Sequence, residues 1–192
     1  AGVLLGTLTL GACNEQKTTE VPPPAHELTA SAVGHYCGMN VLEHTGPKGQ
    51  IILASRRETV WFSSARDAVS FTMLPEEPKD IAAVYVSDMA KAPSWDEPGE
   101  TNWVNAKQAV FVIGSVMKGG MGPPETAPSP DQAPAEKFAA ENGGQIVSFS
   151  EIPKDYVLGT PEETSSVDGE HDAEAAEHDH VAPSAHRPGQ AH

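Results

Sequence analysis

Cys37 and Met39 stand two residues apart in His35-Tyr36-Cys37-Gly38-Met39, the most compact constellation with chemistry in the chain. A thiolate beside a thioether is a soft donor set, suited to a monovalent soft cation, and Cu(I) is the biological choice. Residues i and i+2 of an extended segment point to one side, so the spacing predicts both sulfurs on a common face. Gly38 removes a side chain between them and lets the backbone curl around a small ion. The thioether carries no proton and keeps its hold as pH falls, whereas the thiolate loses the ion when it reprotonates. Two or three sulfur ligands leave an edge of the ion open, which favours handing it over. The plainer alternative is a chance pair, with Cys37 an inert small hydrophobe.

The five methionines sort by context. Met121, in Gly119-Gly120-Met121-Gly122-Pro123, has no apolar neighbours and is the candidate third ligand; otherwise it is an exposed loop residue. Met73 falls on the apolar face of an expected helix and reads as core, and Met117 reads as structural. Met89 follows a strand-like run and stays open between core and support of the site. His35 and His44 flank the sulfur pair as ligands, orienting groups or solvated loop residues. No Gly-rich phosphate loop, H-E-x-x-H or G-x-S-x-G motif is present, and no acid–base pair stands out among the 27 carboxylates. Nothing names an active site, and the chain reads as a non-enzyme.

The elements that must position these residues are mixed. Gln50–Ala54 and Thr59–Phe62 suit strands. Ser64 with Asp67 three positions on marks a helix start, and Ala65, Ala68, Val69, Thr72 and Met73 follow at helical spacing until Pro75. Ile81–Val86 is a buried strand. Trp103-Val104 and Ala109–Ile113 repeat the pair of strands, a Gly/Pro-rich stretch from Gly114 to Pro134 follows, and Ala135–Asn142 is a short helix closed by Gly143. Gln145–Phe149 is the last strand. The expectation is an α+β fold of two related ββαβ units packed together, residues 33–95 and 96–158, because units of that size are too small for a generous core alone.

Length and charge narrow the field. At 192 residues with 12 basic and 27 acidic side chains, net −15, the chain is not a large multi-domain enzyme, and nucleic acid is not an expected partner. Residues 1–12 (AGVLLGTLTLGA) form an uncharged, mostly small or apolar run, too short to span a bilayer and suited to the apolar core of a secretory signal, of which it is expected to be a remnant. Leu10-Gly11-Ala12-Cys13 resembles a bacterial lipobox, which makes Cys13 a candidate for lipidation and membrane anchoring. A Cys13–Cys37 disulfide is the alternative for the two cysteines; lipidation would leave Cys37 alone in an oxidising compartment. Residues 13–32 read as a linker with Pro22-Pro23-Pro24. Residues 159–192 hold five histidines and, from Pro161 on, eight acidic residues and no large hydrophobe beyond Val; that tail is expected to be disordered, at most a loose collector of divalent ions.

With the lipobox, HYCGMNVLEH, FSSARDAV, YVSDM, WVNAKQAV, FVIGS, GGMGPPE and AEKFAAENGG together, the chain resembles the NosL family of copper-binding lipoproteins. The likeness spans roughly His35 to Leu158; the acidic tail lies outside it. The resemblance implies a Cu(I) carrier in the bacterial cell envelope, lipid-anchored and facing the periplasm. Its implied role is to supply the copper–sulfide centre of nitrous oxide reductase, working with that enzyme's membrane transporter assembly complex. It carries the family's Cys-x-Met onto Cys37 and Met39 and its glycine-flanked methionine onto Met121, and it implies two related ββαβ units. A thiol enzyme acting on soft electrophiles such as organomercurials, and a structural envelope lipoprotein, are the competing readings.

Overall fold

A computed structural model describes residues 21–56 and 58–159. Cys13, residues 1–12 and the histidine-bearing tail from residue 160 lie outside the described residues, so the expectations for signal, anchor and tail have no structural counterpart here.

Two strand–strand–helix–strand units follow one another. In the first, β1 (Gly49–Leu53) pairs antiparallel with β2 (Val60–Phe62) and β3 (Ile81–Ser87), with α1 (Ala65–Met73) between β2 and β3 in sequence. In the second, β5 (Val110–Ile113) pairs antiparallel with β6 (Ala127–Ser129) and β7 (Gln145–Ser148), and α2 (Gln132–Asn142) connects those two. The strand orders, β2-β1-β3 and β6-β5-β7, are the same. A last short helix, α3 (Lys154–Leu158), packs against α1.

Local chemistry explains most of the boundaries. Ser64 is extended (φ −138°, ψ 138°) and its hydroxyl accepts from Asp67 N–H at 3.3 Å, capping one of the free donors at the start of α1. Ala65, Ala68, Val69 and Phe71 of that helix are buried. Gly49 makes the close approach to β1 feasible, since a Cβ there would lie 2.3 Å from Ala68 Cβ.

Two expectations need correction. Trp103-Val104 belongs to β4 (Trp103–Asn105), which adds to the first sheet beside β3 instead of opening the second unit. The second unit takes its missing strand from the Gly/Pro-rich stretch, where β6 carries Pro128 opposite Phe111. Proline donates no ladder hydrogen bond, but β6 is an edge strand and needs none on its outer side. The helix expected from Ala135 begins a turn earlier at Gln132, with Pro134 in the first turn where free N–H groups are normal. It ends as expected at Gly143, φ 74°.

One apolar core runs through both units: Phe62, Val69, Phe71 and Val86 from the first meet Phe111 and Ile113 from the second, with Ile152 and Val157 from the C-terminal segment. The far end of the expected linker is also part of the fold. Leu28 and Ala32 are buried with Val41, Gln50 exchanges hydrogen bonds with the backbone of His26, and Tyr85 donates to Pro23 O. Among the described residues no helix is long and apolar enough to cross a membrane.

Candidate metal centre

The segment expected to be extended around Cys37 is a tight turn. Gly38 N–H donates to Gly34 O and Gly34 N–H to Met39 O, each at 2.9 Å, and Gly38 adopts φ 66°. A bridge from Val33 to Asn40 closes the turn, and one from Gly34 to Trp61 clips it to the free edge of β2. Its tip is held further by Glu77, which accepts from Tyr36 hydroxyl at 3.0 Å and meets His35 Nε2 at 3.3 Å. Partial burial, then that hydrogen bond, push the Tyr36 pKa up. Asn40 caps a single 3-10 turn (Val41–Glu43), anchored by fully buried Val41, and His44 follows it.

Cys37 Sγ is half-buried, 3.6 Å from Ser63 Oγ, 3.9 Å from His44 Nε2 and 4.0 Å from Met39 O. Gly34 lies directly behind the sulfur: a Cβ at that position would be 2.5 Å from Sγ. An imidazole nitrogen and a thiol sulfur at this separation can close on one small ion with little movement. Lys48 is buried beneath them, its ammonium donating to the carbonyls of His44, of Thr45 at 3.2 Å and of Ser63 at 3.5 Å. Burial pulls its pKa down to about 8, against the opposing pull of Glu125 and Asp96.

Met121 comes to the same place on a hairpin. Gly119 N–H donates to Pro123 O at 3.0 Å, Gly122 N–H to Gly119 O at 2.9 Å, and Trp95 Nε1 to Lys118 O at 3.1 Å. Gly120 lets this loop rest on the His44 turn, since a Cβ there would meet Thr45 N at 2.9 Å and His44 Cβ at 3.0 Å. Met121 and Ser63 line one crevice, with Glu125 at its base. Glu125 is fully buried and accepts from the Arg66 and Thr126 N–H groups at 2.9 and 2.7 Å. Burial pushes its pKa up to about 7, against those hydrogen bonds and one from Ser64.

Cys37 and Met39 sit on one turn and Met121 on the hairpin that rests against the next one, the two methionines 41% and 54% exposed. His44 joins them, whereas His35 turns to Glu77 and the aromatic rings of Phe62 and Phe71. Met89 lies elsewhere, in a crevice against Pro134 and Phe138 of the second unit, and Met73 packs on the main core. Among the described residues no three His, Cys, Asp or Glu side chains form a metal cluster. Ser63 and Lys48 were not apparent from sequence. Neither belongs to a motif, and only the fold brings them to the thiol.

The fold, with a half-buried thiol 3.9 Å from an imidazole nitrogen, defines a small two-unit α+β protein with a candidate soft-donor site. The chain belongs to the NosL family, whose model matches residues 24–157. The "copper-binding lipoprotein NosL" of Achromobacter cycloclastes is 41% identical over 158 residues, 82% of this chain and 80% of that protein. The same-named protein of Stutzerimonas stutzeri is 30% identical over 155 residues, 79% and 80% of the two chains. Among solved structures, the copper chaperone NosL from Shewanella denitrificans superposes with a TM-score of 0.65 at 34% identity, covering 69% of this chain and 98% of that one.

Proposed function

We propose that the chain is a Cu(I) carrier that binds one ion at Cys37, with Met39, Met121 and His44 completing the set, and releases it to a recipient protein. The observation behind this reading is the placement of Cys37 Sγ: half-buried and 3.9 Å from His44 Nε2, on a turn that carries exposed Met39, while the hairpin of exposed Met121 rests on the His44 turn. Thiolate and thioether suit a soft monovalent ion, and three or four mixed ligands at an open surface leave room for a donor atom from the recipient. Ligand exchange between two such sites moves the ion without ever freeing it, which is the task of a chaperone and not of an enzyme. The names of its relatives, copper-binding lipoprotein and copper chaperone, agree with a copper cargo.

The finer reading is that Cys13 is lipidated, that the protein faces the periplasm from a bacterial membrane, and that its copper goes to the copper–sulfide centre of nitrous oxide reductase through the enzyme's membrane transporter complex. It is supported by the lipobox-like Leu10-Gly11-Ala12-Cys13 and by family membership.

Titration of the reduced protein with Cu(I) against a competing chelator tests the site. A 1:1 complex is expected, with Cys37→Ser losing most of the affinity, Met39→Leu a good part and Met121→Leu a smaller part. Because the thiol gives up its proton to bind, affinity should fall as pH is lowered. Equal binding by all three variants would place the ion elsewhere.

A further inference from the structure

Lys48 stands just before β1, only 2% exposed, and among the described residues no carboxylate lies within ion-pairing distance of its ammonium. Taking a charged amine out of water with no carboxylate in direct contact is costly, Glu125 and Asp96 acting only from further off, and a residue that only filled space would be better as methionine, similar in length and uncharged. What Lys48 has instead is three carbonyl acceptors, on His44, Thr45 and Ser63. His44 and Ser63 are the two residues whose side chains approach Cys37 Sγ. They come from different places: the turn after the 3-10 segment, and the residue following β2. Lys48 itself is fixed from below, its backbone N–H donating to Ser87 Oγ at 2.9 Å and its carbonyl accepting from Ser87 N–H at 3.0 Å. The buried ammonium is thus a cross-brace between the rigid sheet and the two segments that flank the thiol.

We infer that Lys48 is a positioning residue of the metal site, tying the His44 turn to Ser63 so that His44 Nε2 stays within reach of the Cys37 sulfur. This rests on the proposal that copper binds at Cys37 and His44. Groups that orient a ligand from behind are worth about 10- to 100-fold in metal affinity when removed, without touching the ion themselves. Lys48→Met removes the three hydrogen bonds and the charge while nearly keeping the volume.

The experiment uses the full chain, reduced and labelled with 15N at histidine, titrated with Cu(I) against a chelator. In the unsubstituted protein Cu(I) should shift the Nε2 resonance of His44, assigned by its disappearance in His44→Gln. Lys48→Met should keep a dispersed amide spectrum and a 1:1 Cu(I) complex. It should bind about 10- to 100-fold more weakly and lose the Nε2 shift. Unchanged affinity, or weaker binding with the Nε2 shift intact, overturns the inference. If Lys48→Met does not fold, Lys48→Gln is read by the same two measures; failure of both to fold makes the lysine purely structural and also overturns it. Should the unsubstituted chain bind no Cu(I), the functional proposal falls first and the inference with it. If it binds Cu(I) without a shift at His44, the copper reading stands and the role of Lys48 does not.

Discussion

The thiol of Cys37 owes its direction to a residue with no side chain. Gly34 does not adopt a left-handed backbone conformation, so alanine is compatible with its φ and ψ, yet the added methyl would sit 2.5 Å from Cys37 Sγ. Something must shift, and the movable group is the cysteine side chain itself, since the turn is pinned by paired hydrogen bonds between Gly34 and Met39 and between Gly38 and Gly34. Gly34→Ala should therefore fold, push the sulfur outward, and speed its alkylation by a small reagent. Cu(I) affinity should drop about tenfold, the lower range for loss of a group that orients a metal ligand. Alkylation and affinity both unchanged would show that the sulfur's seat does not depend on Gly34. The Cys-x-Met spacing was legible in sequence, but not this geometry: two sulfurs on one side of a strand was the simplest reading, and the positive φ of Gly38 turns the segment back on itself instead.

At the scale of elements, the proposed site draws on three pieces that share no long hydrogen-bonded ladder: the Cys37 turn, the His44 turn and the Met121 hairpin. Trp95 joins the last two. Its indole N–H donates to Lys118 O at 3.1 Å, its carbonyl accepts from Gly46 N–H at 3.0 Å, and its ring stacks on Phe138 of α2 at 5.8 Å. Trp95→Phe keeps the stacking and deletes the hydrogen bond to the hairpin, at a cost of about 1 kcal/mol. If that bond matters because it holds Met121, the substitution should weaken Cu(I) binding in the unsubstituted background and do nothing further once Met121→Leu is present. A double-mutant cycle on Cu(I) affinity measures this directly, and additive effects would show that Trp95 does not act through Met121. The elements framing these loops were legible in proportion to how local their causes are. Helix α1 carries its own cap in Ser64, its own apolar stripe and its own stop at Pro75. Strand β6 carries no such mark, because its sequence Ala-Pro-Ser is a strand only by virtue of pairing with Val110–Val112. The same holds for Lys48 and Ser63, whose partners lie across turns and sheets.

Across the whole molecule, Glu125 joins the two units and the C-terminal helix. Its carboxylate, carried just ahead of β6, accepts from Arg66 N–H at the start of α1, and its carbonyl accepts from Tyr156 hydroxyl at 2.9 Å in α3. Burial raises its pKa from 4.5 to about 7. In the unfolded chain the group loses its proton near its ordinary pKa, while the folded chain keeps it until about pH 7. Between those values the folded state binds more protons than the unfolded one, so the contribution of Glu125 to stability is greatest at the acid end and declines as pH rises through about 7. This is the reverse of a salt-bridged carboxylate. Lys48 works at higher pH and with the opposite sign: between its folded value of about 8 and the ordinary 10.5, the unfolded lysine keeps a proton the folded one has lost, so stability rises there with pH. Denaturant midpoints measured at pH 5 and pH 8 should accordingly show the unsubstituted protein losing stability with rising pH. Glu125→Gln, which cannot ionise and can still accept through its amide oxygen, should lose less; equal losses in the two proteins would mean that the carboxyl is already ionised at pH 5.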